Sequence, residues 1–205
     1  PEKNHPAIMN PVIDKLHPLV HRNTSDLQSP RFHSHFTGDE FFFSHHKVKG
    51  RPVLPGVACM EMVRAAFGIA FKGDKNLTGL RLRNVVWTRQ ITTGDDGRDI
   101  NIRLYPGEKD KFRYEIYSST PGEAHQYSRY NQGVVEPADL PQEKVTSIEK
   151  MKKNGNRGIV SADTCYDFFA SIGMEYGPEF KGIKEIFIGK DTMLARLELP
   201  LKSVP

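Results

Sequence analysis

The chain has 205 residues, 38% hydrophobic and 26% charged, a balance that supports a packed core and excludes a disordered or fibrous chain. Its 29 lysines and arginines stand against 25 acids, a formal charge of +4, and the cations are scattered rather than gathered in a stripe, which argues against nucleic acid as partner. No apolar run is long enough for a membrane span and PEKNHPAIMN lacks the apolar centre of a signal peptide, so the expectation is a cytoplasmic protein without membrane contact.

Residues 1–16 carry prolines at 1, 6 and 11 and read as a leader. Arg31 to Phe36 alternates as a strand does, with Phe32 opposing His33 and His35. The run Phe41, Phe42, Phe43 suits a buried strand end or a pocket wall, with Phe43 as a wall residue. Beyond Pro55, the residues Val57, Met60, Val63, Phe67 and Ala70 recur at three- and four-residue steps, which predicts one face of a helix ended by Gly73. Its few charges predict that most of its circumference is buried.

Strands are expected at Gly79 to Thr88, Gln90 to Thr93, Asp99 to Tyr105, Phe112 to Ser119 and His125 to Val135. Asp95-Asp96-Gly97 and Pro121-Gly122-Glu123 read as turns among them, and Gly107 to Asp110 as a charged loop. One helix followed by successive strands argues for an α+β fold with an antiparallel sheet. Residues 137–158 have the composition of a connection, which also accounts for the densest cluster of cations, Lys144 to Arg157. Ala162 to Met174 reads as a helix capped by Ser161 or Asp163, broken at Glu175-Tyr176-Gly177-Pro178. The stretches Gly182 to Gly189 and Thr192 to Leu199 then form a hairpin about Gly189-Lys190-Asp191.

The richest stretch chemically is His46 to Pro55, HKVKGRPVLP, directly before the long helix. Histidine titrates nearest neutrality and in an apolar pocket stays neutral, able to take a proton. Gly50 lets backbone approach a ligand, and Pro55 suits a helix start whose N–H groups favour negative charge; Gly56 stands at that start. His33, His35, His45 and His46 are close enough in sequence to raise the question of a metal, but no cysteine or carboxylate stands at a convincing companion spacing, so none is expected. Cys59 and Cys165 read as buried thiols.

Three segments in order, HPLVHRNTSDL, RFHSHFTGDEFFFSHHKVKGRPVLPG and EYGPEFKGI, resemble the dehydratase domains of modular polyketide synthases. HRNTSDL with FTGDEFFF looks most like bacterial lines whose acyltransferases act in trans. The resemblance implies a double hot-dog fold, with the first unit over residues 17–136, a linker over 137–158 and the start of a second unit over 159–205. It implies a 3-hydroxyacyl thioester substrate carried on the phosphopantetheine arm of an acyl carrier protein, with no cofactor bound directly. Neighbouring synthase domains and a second copy of the chain are the other implied partners.

Within that family His46 is the base. Phe43, Gly50, Pro55, Gly56, Tyr176 and Pro178 are carried over as substrate-binding positions, Gly50 to position the thioester and Pro55 to fix the turn that orients the histidine. Tyr176 is read either as a phenol that hydrogen-bonds substrate or acid, or as a packed aromatic in a tight turn. The family's second unit supplies an acid in an Asp-x-x-x-Gln/His motif, and no Asp among the 205 residues has Gln or His four positions on. The expectation is that the sequence stops before that element. Dehydration is the leading reading; a double-bond isomerase using His46 alone, or a module that holds an acyl chain without chemistry, are the alternatives.

Overall fold

A computed structural model of the chain describes residues 15–71, 79–108, 110–119, 127–139, 147–154 and 158–200. The leader over 1–14, Gly73, the Pro121-Gly122-Glu123 turn, His125, and residues 140–146 and 155–157 of the expected connection lie outside the described residues.

A two-residue strand, β1 (Arg22–Asn23), pairs with β2 (Arg31–Phe36), whose alternation turns Phe32, Ser34 and Phe36 into the core. The three phenylalanines that follow are not a strand end. Phe41–Ser44 is a short helix, α1, because the Glu40 carboxylate accepts the N–H groups of Thr37 (3.2 Å) and Gly38 (2.9 Å) and its carbonyl accepts those of Phe43 and Ser44, winding the chain back on itself. Phe43, with no exposure, lies against Phe36 and Phe42 at ring separations of 5.7 and 5.6 Å, as part of the core.

β3 (His46–Val48) and β4 (Arg51–Pro52) form a hairpin whose two loop residues, Lys49 (φ 51°) and Gly50 (φ 76°), both take the left-handed conformation that a tight primed turn needs. Gly50 is exposed at the tip, so its requirement is the turn.

The expected helix, α2 (Gly56–Ala70), ends with Phe71 donating to the Phe67 carbonyl at 3.0 Å. It buries Ala58, Cys59, Met62, Val63, Ala65, Ala66 and Phe67, a wider and rotated face relative to the expected one, and leaves Val57 exposed. β5 (Gly79–Trp87), β6 (Arg98–Pro106), β7 (Phe112–Ser118) and β8 (Ser128–Ala138) occupy four of the expected strand positions. The fifth, Gln90 to Thr93, makes only a bridge: Thr92 pairs with Val53, and Leu54 donates to the Ile91 carbonyl at 2.9 Å.

The sheet runs β1-β2-β6-β7-β8-β5, antiparallel throughout, and its inner face (Ile100, Ile102, Leu104, Tyr114, Ile116, Val135) packs on α2. This is the hot-dog arrangement. Each large aliphatic or aromatic side chain taken fully out of water here contributes about 1.5–3 kcal/mol, and the concentration of such residues on α2 makes it the axis of the unit.

Within the expected connection, Ile148–Asn154 is helical (α3) and β9 (Gly158–Ser161) already forms a strand. α4 (Ala162–Ser171) is capped by Ser161, whose Oγ accepts the Thr164 N–H at 3.2 Å. β10 (Met174–Tyr176), a 3-10 turn at Pro178–Phe180, β11 (Ile183–Ile188) and β12 (Met193–Leu197) complete the described elements, with a second sheet in the order β12-β11-β9. These are opening elements of a second unit. One of them returns to the first, since β10 pairs antiparallel with β3 and makes the small sheet β10-β3-β4.

Candidate functional site

His46 begins β3, and its ring is held from the backbone. Nδ1 lies 2.7 Å from the Val53 carbonyl, while the Val53 N–H donates back to the His46 carbonyl at 3.0 Å. A carbonyl oxygen only accepts, so Nδ1 carries the hydrogen and the lone pair of the neutral imidazole is on Nε2.

The ring lines a cavity of about 350 Å³ with Val48, Val53, Leu54, Gly56, Cys59, Trp87, Arg89 and Ile91 among its walls. The described residues that line it are largely apolar apart from His46, Thr88, Arg89 and Gln90, with no carboxylate among them. Burial pushes the Cys59 thiol up to about 12, which keeps it neutral.

α2 points its N-terminus at this cavity. Pro55, buried, is the N-cap residue, one place before the first helical position, and its carbonyl accepts the Ala58 N–H at 2.9 Å. The N–H groups of Gly56 and Val57 have no intrahelical acceptor, and with the positive end of the helix dipole they form an anion-favouring corner beside His46. Gly56 stands close to Trp87: a Cβ there would lie 3.0 Å from Trp87 Nε1 and 3.4 Å from Trp87 Cε2.

Tyr176 is brought to His46 by strand register. The two are directly paired across β10 and β3, and their rings lie 5.6 Å apart at 61°. Phe180 stands 5.8 Å from the His46 ring, and Phe169 and Tyr166 pack on Tyr176 at 5.5 and 6.1 Å. Burial, with a smaller contribution from Tyr166, raises the Tyr176 phenol above its ordinary value, so it stays protonated. Tyr176 is thus packed in an aromatic cluster, with its protonated phenol on the residue paired with His46.

Pro178 is exposed and starts the 3-10 turn. The preceding Gly177 fits tightly, its N–H donating to the His45 carbonyl at 2.8 Å and a Cβ there falling 2.4 Å from His45 Cβ. Thus His46 and Gly56 line one cavity, with Pro55 next to Gly56 in the chain, and Tyr176 packs on the His46 ring without being among the cavity-lining residues, whereas Phe43 lies in the core and Gly50 at the hairpin tip. The sequence reading had no place for the Val53 carbonyl, Phe180 or Trp87. Trp87 alone left a signal, as the one tryptophan in the chain.

The other histidines are separate. His33 Nε2 and His35 Nδ1 both meet Asp99 Oδ1, at 3.0 and 2.9 Å, on the outer face of the large sheet, and the His45 ring faces the Glu179 carboxylate. Among the described residues no group of three His, Cys, Asp or Glu side chains is arranged to hold a metal.

Fold and site together define a hot-dog domain with a backbone-oriented histidine at the mouth of its central helix. The family model for the polyketide synthase dehydratase domain matches residues 17–119, and that for the polyketide synthase dehydratase N-terminal domain matches residues 146–204. The chain belongs to the polyketide synthase dehydratase domain family. It is 38% identical over 189 residues to the polyketide synthase PksM of Bacillus subtilis, an alignment that covers 90% of this chain and 4% of the relative. Among solved structures, a trans-AT polyketide synthase dehydratase domain from Brevibacillus brevis matches with a TM-score of 0.86 and 34% identity, covering 93% of this chain and 67% of that one. The dehydratase domain of RzxB from Pseudomonas fluorescens matches with a TM-score of 0.77 and 28% identity, covering 90% and 66%. The chain therefore spans a small part of the curated relatives' length and about two thirds of the solved domains. Among the described residues no helix is long and apolar enough to cross a membrane.

Proposed function

We propose that the chain carries the histidine half of a dehydratase that removes water from a 3-hydroxyacyl thioester and leaves an α,β-unsaturated one. The observation that carries this reading is the 2.7 Å contact from His46 Nδ1 to the Val53 carbonyl, which leaves Nε2 as the basic nitrogen at the cavity. In the proposed reaction Nε2 takes a proton from C2 of the substrate. The electron pair delocalises to the thioester oxygen, where the free N–H groups of Gly56 and Val57 stabilise it without having to reorganise. Collapse of that charge forms the C2–C3 double bond and breaks the C3–O bond; the leaving oxygen takes the proton that His46 Nε2 accepted from C2, so that water departs and the neutral imidazole is restored. Tyr176 supports this step by its hydrogen-bonding phenol; the acid expected from the family's second motif has no counterpart in this sequence. Gly50 serves the reading through the hairpin that places His46, and Pro178 through the turn that follows Tyr176.

The thioester is carried by the phosphopantetheine arm of an acyl carrier protein, with neighbouring synthase domains and a second copy of the chain as further partners and the cytoplasm as the setting. The first unit comprises residues 17–136, the connection 137–158 and the second unit 159 onward. A second reading is movement of a double bond between α,β and β,γ positions, a reaction in which the same base, His46 Nε2, shuttles one proton and nothing is expelled.

The test is to incubate the complete protein separately with a 3-hydroxyacyl thioester and an enoyl thioester. Loss of the mass of water from the first supports dehydration; a shifted double bond at constant mass in the second replaces it with isomerisation. No change in either refutes both and leaves a module that only holds an acyl chain.

A further inference from the structure

Trp87, half exposed, stands beside the corner where the proposed oxyanion sits. Its indole N–H donates to the Gly56 carbonyl at 3.3 Å, its ring lies close enough to Gly56 that a Cβ would stand 3.0 Å from Nε1, and it walls the same cavity as His46. The Gly56 carbonyl and the Val57 N–H belong to one peptide plane. A donor on the carbonyl therefore holds the orientation of the Val57 N–H at the helix start, next to Gly56, which lines the cavity.

Trp87 reaches this place through a defect in its strand. Along β5, Leu80 and Leu82 pack on the core, and strict alternation would send residue 87 to the opposite face. The pairing with β8 slips between Arg83 and Val86: Arg83 stands opposite Val134, but Val86 stands opposite Gln132 and Trp87 opposite the fully buried Asn131. One extra residue is accommodated there, with Asn84 at φ 51°, and Asn131 Nδ2 donates to the Val86 carbonyl at 3.2 Å to fix the far side of the bulge. A bulge reverses the alternation and re-aims the side chains beyond it. The result is an indole turned toward α2.

We infer that Trp87 is a positioning residue for the proposed thioester chemistry, setting the Gly56–Val57 peptide as an oxyanion donor. The inference rests on the dehydratase or isomerase reading for its kinetics, but its spectroscopic arm does not. Trp87→Phe keeps a ring against Gly56 and removes the N–H donor, whereas Trp87→Ala removes both.

In the complete protein, Trp87→Phe lowers kcat about five-fold with KM unchanged, as expected for one hydrogen bond that acts on the transition state. Trp87→Ala lowers kcat further and raises KM as well. A role in stability alone would lower the unfolding midpoint of both variants and leave kcat untouched. Wild-type kcat and KM in both variants overturn the inference. Independently, the difference in emission between wild type and Trp87→Phe isolates the Trp87 fluorescence, and a non-reactive acyl thioester analogue shifts that emission saturably. If the protein proves inactive on both thioesters, this shift still reports whether Trp87 walls a thioester site; no shift at saturating analogue overturns it.

Discussion

Replacing Gly177 with alanine tests the join between the two units. The backbone at 177 has an ordinary conformation, φ −78° and ψ 177°, so alanine meets no conformational strain there. The obstacle is space: its Cβ would lie 2.4 Å from His45 Cβ and Cγ and 2.7 Å from Cδ2. His45 has nowhere to retreat. Its N–H donates to the Phe41 carbonyl at 2.9 Å, its carbonyl holds the Gly177 N–H at 2.8 Å, and its ring faces the Glu179 carboxylate. The strands must therefore part, and the expected cost is about 3 kcal/mol, the upper end for an overpacked site. Urea unfolding of Gly177→Ala should show a lower midpoint at an unchanged slope. His45→Ala keeps the offending Cβ and should rescue little, whereas His45→Gly in the Gly177→Ala background removes the clash and should recover most of the loss. A Gly177→Ala protein within about 0.5 kcal/mol of wild type would refute the packing argument.

Three further outcomes follow from the same structure. At pH 8 a thiol with a pKa of about 12 is ionised in roughly one molecule in ten thousand, so iodoacetamide should leave the Cys59 peptide unmodified in the native protein and label it in urea; fast native labelling, read by peptide mass, contradicts the burial. His21 is buried and held below its ordinary pKa, mainly by desolvation and next by Lys15, while its Nδ1 accepts the His35 N–H at 3.2 Å. The unfolded chain therefore takes up this proton first as pH falls, and stability should be lost through and below the ordinary histidine value of about 6.5, a component missing from the urea midpoints of His21→Gln between pH 8 and 5. Ser161→Ala removes the α4 cap and should cost about 1 kcal/mol by the same measurement, with Ser161→Asp close to wild type.

What the sequence made legible was local. The period of α2, the alternation of β2, the turn residues Asp95-Asp96-Gly97 and the cap at Ser161 all state their structure within a few residues, and the order of three motifs carried the family. Composition misled where a distant or polar partner decides. Three phenylalanines read as a strand end, yet the Glu40 carboxylate turns them into α1 and places Phe43 in the core. Gln90 to Thr93 has strand composition but only one bridging partner, at Val53. The pairing of Tyr176 with His46 joins residues 130 positions apart, and no local pattern encodes that register. Trp87 could not be placed because a one-residue bulge, invisible in the alternation, decides which way it faces.

The central claim is that His46 Nε2 removes the C2 proton. Its most direct test is the release of deuterium to water from a C2-deuterated 3-hydroxyacyl thioester by the complete protein, wild type and His46→Ala, with urea unfolding run alongside to verify that the variant is folded. Loss of a positioned base predicts a fall in release of about 10²-fold or more at an unchanged unfolding midpoint. Release at the wild-type rate from a folded His46→Ala protein would contradict the account.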